Sequence, residues 1–216
     1  MSRAGIGEIV GVVLAGGRSQ RMGGREQALA DLAGRPMLAH ILARFAPQVS
    51  RLAINANGDP ARFAAFGLPV IADQIPDFPG PLAGVLAGLR WASACAATHM
   101  ATVSSDAPFI PLDLVARLAR ASAEAGGGAV ARSGGRVHPV VALWPVGIAD
   151  RLEQALATGE RRVHRWVETE GMTTVDFTPF EIDGRMVDPF LNVNTPEELA
   201  EAETLMQLFE RQRERA

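Results

Sequence analysis

The chain has 216 residues, a formal net charge of −3, 48% apolar residues and one cysteine. That length suits one α/β domain with a sizeable core, no unbroken apolar run reaches membrane-spanning length, and the lone Cys95 excludes an internal disulfide. The mild negative charge and dispersed arginines argue against nucleic acid as a partner, and all 21 basic residues are arginine, which removes every lysine-dependent chemistry.

Short apolar runs alternate with longer amphipathic stretches, the rhythm of β-α units around a mainly parallel sheet. Strands are expected near Ile9–Leu14, Arg51–Asn55, Pro69–Ala72, Met100–Ser104, Gly128–Ala131, Pro139–Leu143 and Thr174–Phe177. Between them, Pro36 opens a helix to about Phe45, Pro60 opens a short one, and Leu82, Val85, Leu86 and Leu89 make an i, i+3, i+4, i+7 stripe on the next. Pro111 precedes another through Leu114, Val115 and Leu118. Leu152 with Leu156, and Val163 with Trp166 and Val167, mark two more, and Pro196 starts a terminal helix with Leu199, Ala202, Leu205 and Phe209 inward. No linker divides the chain, so residues 1–216 read as one domain, with 1–8 and 211–216 as frayed ends. Met1–Glu8 carry no apolar signal core, so a cytoplasmic location is expected, away from any membrane.

The first strand runs into Leu14-Ala15-Gly16-Gly17-Arg18-Ser19-Gln20-Arg21-Met22-Gly23-Gly24. Glycines let backbone N–H groups converge on an anion, and arginines add charge that a structural turn does not need, so this segment reads as a phosphate cradle. It is neither a Walker loop nor a G-x-G-x-x-G turn, so neither mechanism transfers. In an open parallel sheet, ligands sit beyond the carboxyl ends of the strands, where Asn55, Asn57, Asp73 and Asp106 fall. A carboxylate at such a strand mouth suits Mg²⁺, which takes one or two carboxylates with substrate phosphates and water; the structural alternative for Asp106 is a turn or cap ahead of Pro111. His138 reads as a polar residue at a strand start, and Cys95 as a small core residue.

Taken in order, these segments resemble the molybdenum cofactor guanylyltransferases, the MobA-type nucleotidyltransferases, over nearly the whole chain. The resemblance rests on Leu14–Gly17 with Arg21–Gly24, Ile54–Asn57, Val70–Asp73, Phe78–Gly84 and Ser105–Pro111. It continues through His138-Pro139, Gly159–Val163 and Asn192–Leu199. The resemblance implies a single Rossmann-like α/β domain with a mixed, mainly parallel sheet flanked by helices. It implies GMP transfer from GTP to the terminal phosphate of molybdenum-charged molybdopterin, with pyrophosphate leaving. On the family pattern, Leu14, Ala15, Gly16 and Gly17 contact the nucleotide, Asn55 and Asp73 hold the guanosine, and Asp106 binds Mg²⁺. Asn192 or Asn194 lies across the metal and the incoming phosphate. Arg21, Arg161 and Arg162 face the pterin phosphate or the triphosphate, with Gly80 and Pro81 at a pterin-binding edge. GTP and molybdopterin are then the small-molecule partners, beside molybdoenzymes or other cofactor-biosynthesis proteins.

The family pattern places Asp-Lys after the glycine pair, where this chain has Glu26-Gln27. An amide can donate to a phosphate but adds no charge, and Arg25 is the nearby cation that could compensate. A non-catalytic nucleotide- or pterin-binding relative, and a cytidylyltransferase acting on the same pterin, are the two alternatives.

Overall fold

The computed structural model describes residues 7–16, 27–75 and 80–214. Strand β1 (Ile9–Leu14) is followed by a hairpin of β2 (Asp31–Leu32) and β3 (Arg35–Pro36), then helix α1 (Met37–Phe45) and β4 (Leu52–Asn55). A 3-10 turn over Pro60–Phe66 leads to β5 (Val70–Ile71), α2 (Pro81–Ala94), β6 (His99–Ser104) and α3 (Leu114–Ala125). The second half contains β7 (Ala129–Ser133), β8 (Arg136–Pro145), α4 (Ala149–Ala157), α5 (Val163–Thr169) and β9 (Thr173–Asp176). A separate two-stranded hairpin, β10 (Phe180–Ile182) with β11 (Arg185–Val187), precedes the terminal helix α6 (Pro196–Glu214).

All seven strands expected from the sequence lie in one sheet of order β5-β4-β1-β6-β8-β7-β9. The β4, β5 and β6 pairings around β1 are parallel, β8 runs antiparallel to β6 and β7, and β9 is parallel to β7. The sheet is therefore mixed and mainly parallel. β1 lies between β4 and β6 and is nearly all apolar because both of its faces are covered, the pattern of a central parallel strand.

Helices cover both faces. One core joins Val13 and Ile54 of the sheet to Leu38 and Ile41 of α1, Leu118 of α3 and Leu205 of α6. The other joins Val12 and Trp144 to Val85 and Leu89 of α2, Leu152 of α4 and Trp166 of α5. Close seating needs missing side chains at one point on β1: a Cβ on Gly11 would lie 2.9 Å from atoms of Leu52 and Phe45. The indole N–H of the fully buried Trp144 donates to Thr102 Oγ1 (2.8 Å), whose own proton goes to the Val140 carbonyl (2.7 Å), so this polar pair is satisfied inside the core.

Several boundaries differ from the sequence reading. The strand expected over Pro69–Ala72 is only Val70–Ile71, an edge strand. Helix α3 begins at Leu114, after a turn in which Leu114 N–H bonds to Pro111 O. The terminal helix is continuous to Glu214, so Arg211–Glu214 are helical. Ala202 and Leu205 of α6 are buried, Leu199 and Phe209 are half-buried, and Met206 joins the buried side.

Candidate active site

The carboxyl ends of β1, β4 and β6 end level with one another because Leu14 is in register with both Asn55 and Ser104. Past that line the backbones stay joined: Ala15 N–H donates to Asn55 O (2.8 Å) and Ser105 N–H to Leu14 O (3.1 Å). Leu14 and Ala15 are buried and Gly16 is exposed, so the frame meets a ligand first at Gly16. Gly17, Arg21 and Arg25 of the expected cradle lie outside the described residues.

On the β4 side, Asn55 is 2% exposed and its amide nitrogen donates to Ile71 O (3.1 Å) and to Asp73 Oδ1 (2.9 Å). Asn57 completes the grip: its Nδ2 donates to Asp73 Oδ2 (2.7 Å), while Asp73 N–H donates to Asn57 Oδ1 (2.9 Å). Both carboxylate oxygens of Asp73 are thus anchored at the sheet edge. The first turn of α2 presses on the same group, since a Cβ at Gly84 would fall 2.2 Å from Asn55 Oδ1. Asn55 therefore supports Asp73, and Asp73 is the half-buried member that faces outward. The sequence reading left Asn57 without a role; it is the second support of Asp73.

On the β6 side, Asp106 follows the strand by two residues. The residue is half-buried, but its carboxyl group is largely surrounded by protein, and that desolvation holds its pKa above the ordinary aspartate value of 3.8. A hydrogen bond from the Ser104 hydroxyl to Oδ1 and one from its own amide act the other way, and the Glu198 charge adds to the rise. A desolvated carboxylate with few donors stabilises the metal-free fold poorly and suits a divalent cation. Among the described residues no three His, Cys, Asp or Glu side chains converge as a metal cluster. A cation at Asp106 would therefore complete its shell with neutral oxygens, phosphates and water.

Asp106 also holds the segment that carries the two asparagines. Its carbonyl accepts from Val193 N–H (2.9 Å), and the Gln27 side-chain amide donates to Val193 O. Gln27, expected on the nucleotide, is therefore joined to the loop of Asn192 and Asn194. Neither asparagine side chain caps α6. Thr195 and Glu198 do so as a capping box: Glu198 N–H donates to Thr195 Oγ1 (3.2 Å), while Glu198 Oε2 accepts from the N–H groups of Thr195 (3.1 Å) and Asn194 (2.6 Å). Asn192 is exposed and Asn194 half-buried, on either side of the fully buried Val193.

Arg161 and Arg162 lie at a cleft of about 300 Å³ lined by Thr158, Gly159, Glu160, Arg161, Arg162 and Arg165. The Glu160 carboxylate accepts from the N–H groups of Arg161 and Arg162 (2.9 Å each) and sits 3.4 Å from the Arg165 guanidinium. The Arg162 N–H above all holds its pKa below the ordinary value. Gly80 approaches the same cleft, since a Cβ there would lie 3.8 Å from the Arg161 carbonyl. The four residues expected at the pterin, Gly80, Pro81, Arg161 and Arg162, thus come to neighbouring positions.

Residues 11–173 match the MobA-like NTP transferase domain. The chain belongs to this family. A molybdenum cofactor guanylyltransferase of Mesorhizobium japonicum is 48% identical over 205 residues, covering 93% of this chain and 97% of that one. Another, from Rhodopseudomonas palustris, is 50% identical over 200 residues, covering 90% and 92%. The crystal structure of molybdopterin-guanine dinucleotide biosynthesis protein A from Archaeoglobus fulgidus has the same fold, with a TM-score of 0.69 at 23% identity over 92% of this chain and 98% of that one. As a MobA-like NTP transferase the chain is a nucleotidyltransferase, an enzyme of a family that generally works with a divalent metal. No helix among the described residues is long and apolar enough to cross a membrane.

Proposed function

We propose that this MobA-like transferase moves GMP from GTP to the terminal phosphate of molybdopterin, forming the guanine dinucleotide and releasing pyrophosphate. An oxygen of the pterin phosphate attacks the α-phosphorus, the bond from that phosphorus to the β-bridging oxygen breaks, and pyrophosphate carries away the charge. No covalent enzyme intermediate is required, so the protein's work is positioning and neutralising charge.

The observation that carries this reading is the convergence of Gly16, Asp73, Asp106 and the Val193 loop at one edge of the parallel strands, in a chain nearly half identical to molybdenum cofactor guanylyltransferases. Asp106 would hold Mg²⁺, with Asn192 or Asn194 supplying a neutral amide oxygen. Bound there, the cation would offset triphosphate charge. Asp73, with its oxygens fixed by Asn55 and Asn57, accepts from N–H or hydroxyl groups of guanosine. Leu14, Ala15 and Gly16 would contact the nucleotide, the Gly17 N–H would donate to its phosphates, and Arg21 and Arg25 would contribute positive charge. Arg161 and Arg162, beside Gly80 and Pro81, take the anionic pterin. The setting is the cytoplasm, where the product passes to molybdoenzymes.

Pyrophosphate release measured with GTP, CTP and ATP, each with Mg²⁺ and molybdopterin, tests the assignment. Release with GTP above the other two is expected. Preference for CTP would make the chain a cytidylyltransferase, and silence with all three would make it a binding protein.

A further inference from the structure

At the carboxyl end of β7 a second polar group is built around Ser133, His138 and Asp188. Ser133 is 1% exposed and His138 8%, so these groups are buried on two inner strands of the sheet. Ser133 Oγ lies 2.8 and 2.7 Å from the two Asp188 carboxylate oxygens, and 2.7 Å from His138 Nε2. A hydroxyl has one proton, and a carboxylate can only accept, so that proton goes to Asp188. His138 must then donate to Ser133 through Nε2–H. The carboxylate is bonded to the serine, not to the histidine, so the order is not that of an activated nucleophile.

The group's other end lies in the segment leading to the asparagines. Asp188 Oδ1 also accepts from Phe190 N–H (2.8 Å), and Asp188 O accepts from Leu191 N–H (3.1 Å), which closes a turn. Phe190 is buried, with its ring 4.8 Å from that of His138 and 5.3 Å from that of Phe177. Asn192 follows at once, and Val193 is bonded to Asp106 through N–H and to Gln27 through its carbonyl. The stretch from Asp188 to Thr195 is thus a strap across the mouth of the sheet, fastened to β7 and β8 at one end, to Asp106 in the middle and to the α6 cap at the other.

We propose that Ser133, His138 and Asp188 are positioning residues that fix this strap and so set Asn192 and Asn194 over Asp106. The proposal rests on the reading of those asparagines as facing the metal and the incoming phosphate. With the clamp closed, the asparagine backbone is ordered before substrate arrives, so binding does not have to order it. A clamp of this kind acts on the metal-bound complex and leaves GTP affinity without metal unaltered.

Ser133→Ala and His138→Phe break the clamp, the second keeping the ring packed on Phe190, while His138→Gln retains a donor near the position of Nε2. Two readouts on the folded, full-length protein separate the outcomes: hydrogen–deuterium exchange of the 190–195 amides, and binding of Mn²⁺ with GTP followed by electron paramagnetic resonance. Exchange about 10-fold faster in Ser133→Ala and His138→Phe, with Mn²⁺ affinity falling about 10-fold and His138→Gln restoring both, is expected. Exchange or Mn²⁺ affinity equal to wild type in His138→Phe overturns the clamp, and so does the same result in Ser133→Ala. If Ser133→Ala does not fold, the His138 pair decides alone. Wild-type protein that binds no Mn²⁺ with GTP overturns the underlying reading, and the clamp's purpose with it.

Discussion

Asn55 donates to Asp73 across 2.9 Å, linking the end of β4 to the second residue past β5. This bond uses a buried amide to aim a carboxylate, and α2 holds the amide in place by presenting a glycine to it. At Gly84 a Cβ would stand 2.2 Å from Asn55 Oδ1. Gly84→Ala therefore pits helix propensity, worth roughly 1 kcal/mol in favour of alanine, against overpacking that costs about 1–3 kcal/mol. A net loss of stability in urea denaturation is expected, with a raised KM for GTP as Asp73 is displaced. The open-space control Gly127→Ala, where an added Cβ meets nothing within 4 Å, stays near neutral. A stabilised Gly84→Ala protein would contradict the contact.

Asn55→Ala leaves the Asp73 carboxylate short of a donor and opens a small void beside α2. Loss of about 1–3 kcal/mol of stability and a higher dissociation constant for GTP are expected from thermal denaturation and calorimetry. Asn57→Ala, at an exposed position, alters GTP affinity with little change in stability.

Asp106 gives a pH dependence with a definite sign. Burial raises its folded-state pKa, so its contribution to stability is present below the ordinary value of 3.8 and is lost as pH rises through the folded value. At neutral pH the charged group destabilises the metal-free fold. Asp106→Asn should melt at a higher temperature than the wild type without metal at pH 7, and the difference should shrink when both are melted at acid pH. Equal melting temperatures at pH 7 would contradict the desolvation.

The α6 cap is testable apart from chemistry. Thr195→Ala removes a reciprocal bond with Glu198 and costs about 1 kcal/mol. Because Glu198 also holds Asn194 N–H, transfer activity should fall along with the urea midpoint.

Arg162 is exposed and makes no side-chain cap on α5, so its removal leaves the fold intact. Arg162→Ala should raise the KM for molybdopterin about 10-fold, the loss of one charge-assisted bond, with the KM for GTP unchanged. High salt should narrow the gap between variant and wild type.

The inner strands such as β1, β4 and β6 were legible because they are buried and read as apolar runs, whereas the edge strands β5 and β9 are only partly covered and show chiefly through the β-α rhythm. The small hairpins β2–β3 and β10–β11 outside the main sheet were not legible. In β2–β3 the turn residues are Ala33 and Gly34, both left-handed, and alanine gives no warning of that conformation. In β10–β11 the signal was present: Asp183-Gly184, both left-handed, is a type I′ pair between Phe180–Ile182 and Arg185–Val187. Asp106 and Asp73 could be picked out because they follow strands of a parallel sheet, where function concentrates. Asn57 is in the same position, and its pairing with Asp73 sixteen residues away has no local signature in the sequence. The links from Gln27 to Val193 and from Ser133 to Asp188 span 166 and 55 residues. Nothing local in the sequence encodes such separations, and only the completed topology brings the partners together.

The central claim is that Asp106 anchors a divalent cation for GMP transfer, and the direct measurement is formation of labelled guanine dinucleotide by wild type and Asp106→Asn across a Mg²⁺ titration. Transfer that requires the cation and falls about 100-fold or more in Asp106→Asn, with metal-free GTP affinity nearly unchanged, is the predicted result. Asp106→Asn protein turning over at the wild-type rate under saturating Mg²⁺ would contradict it.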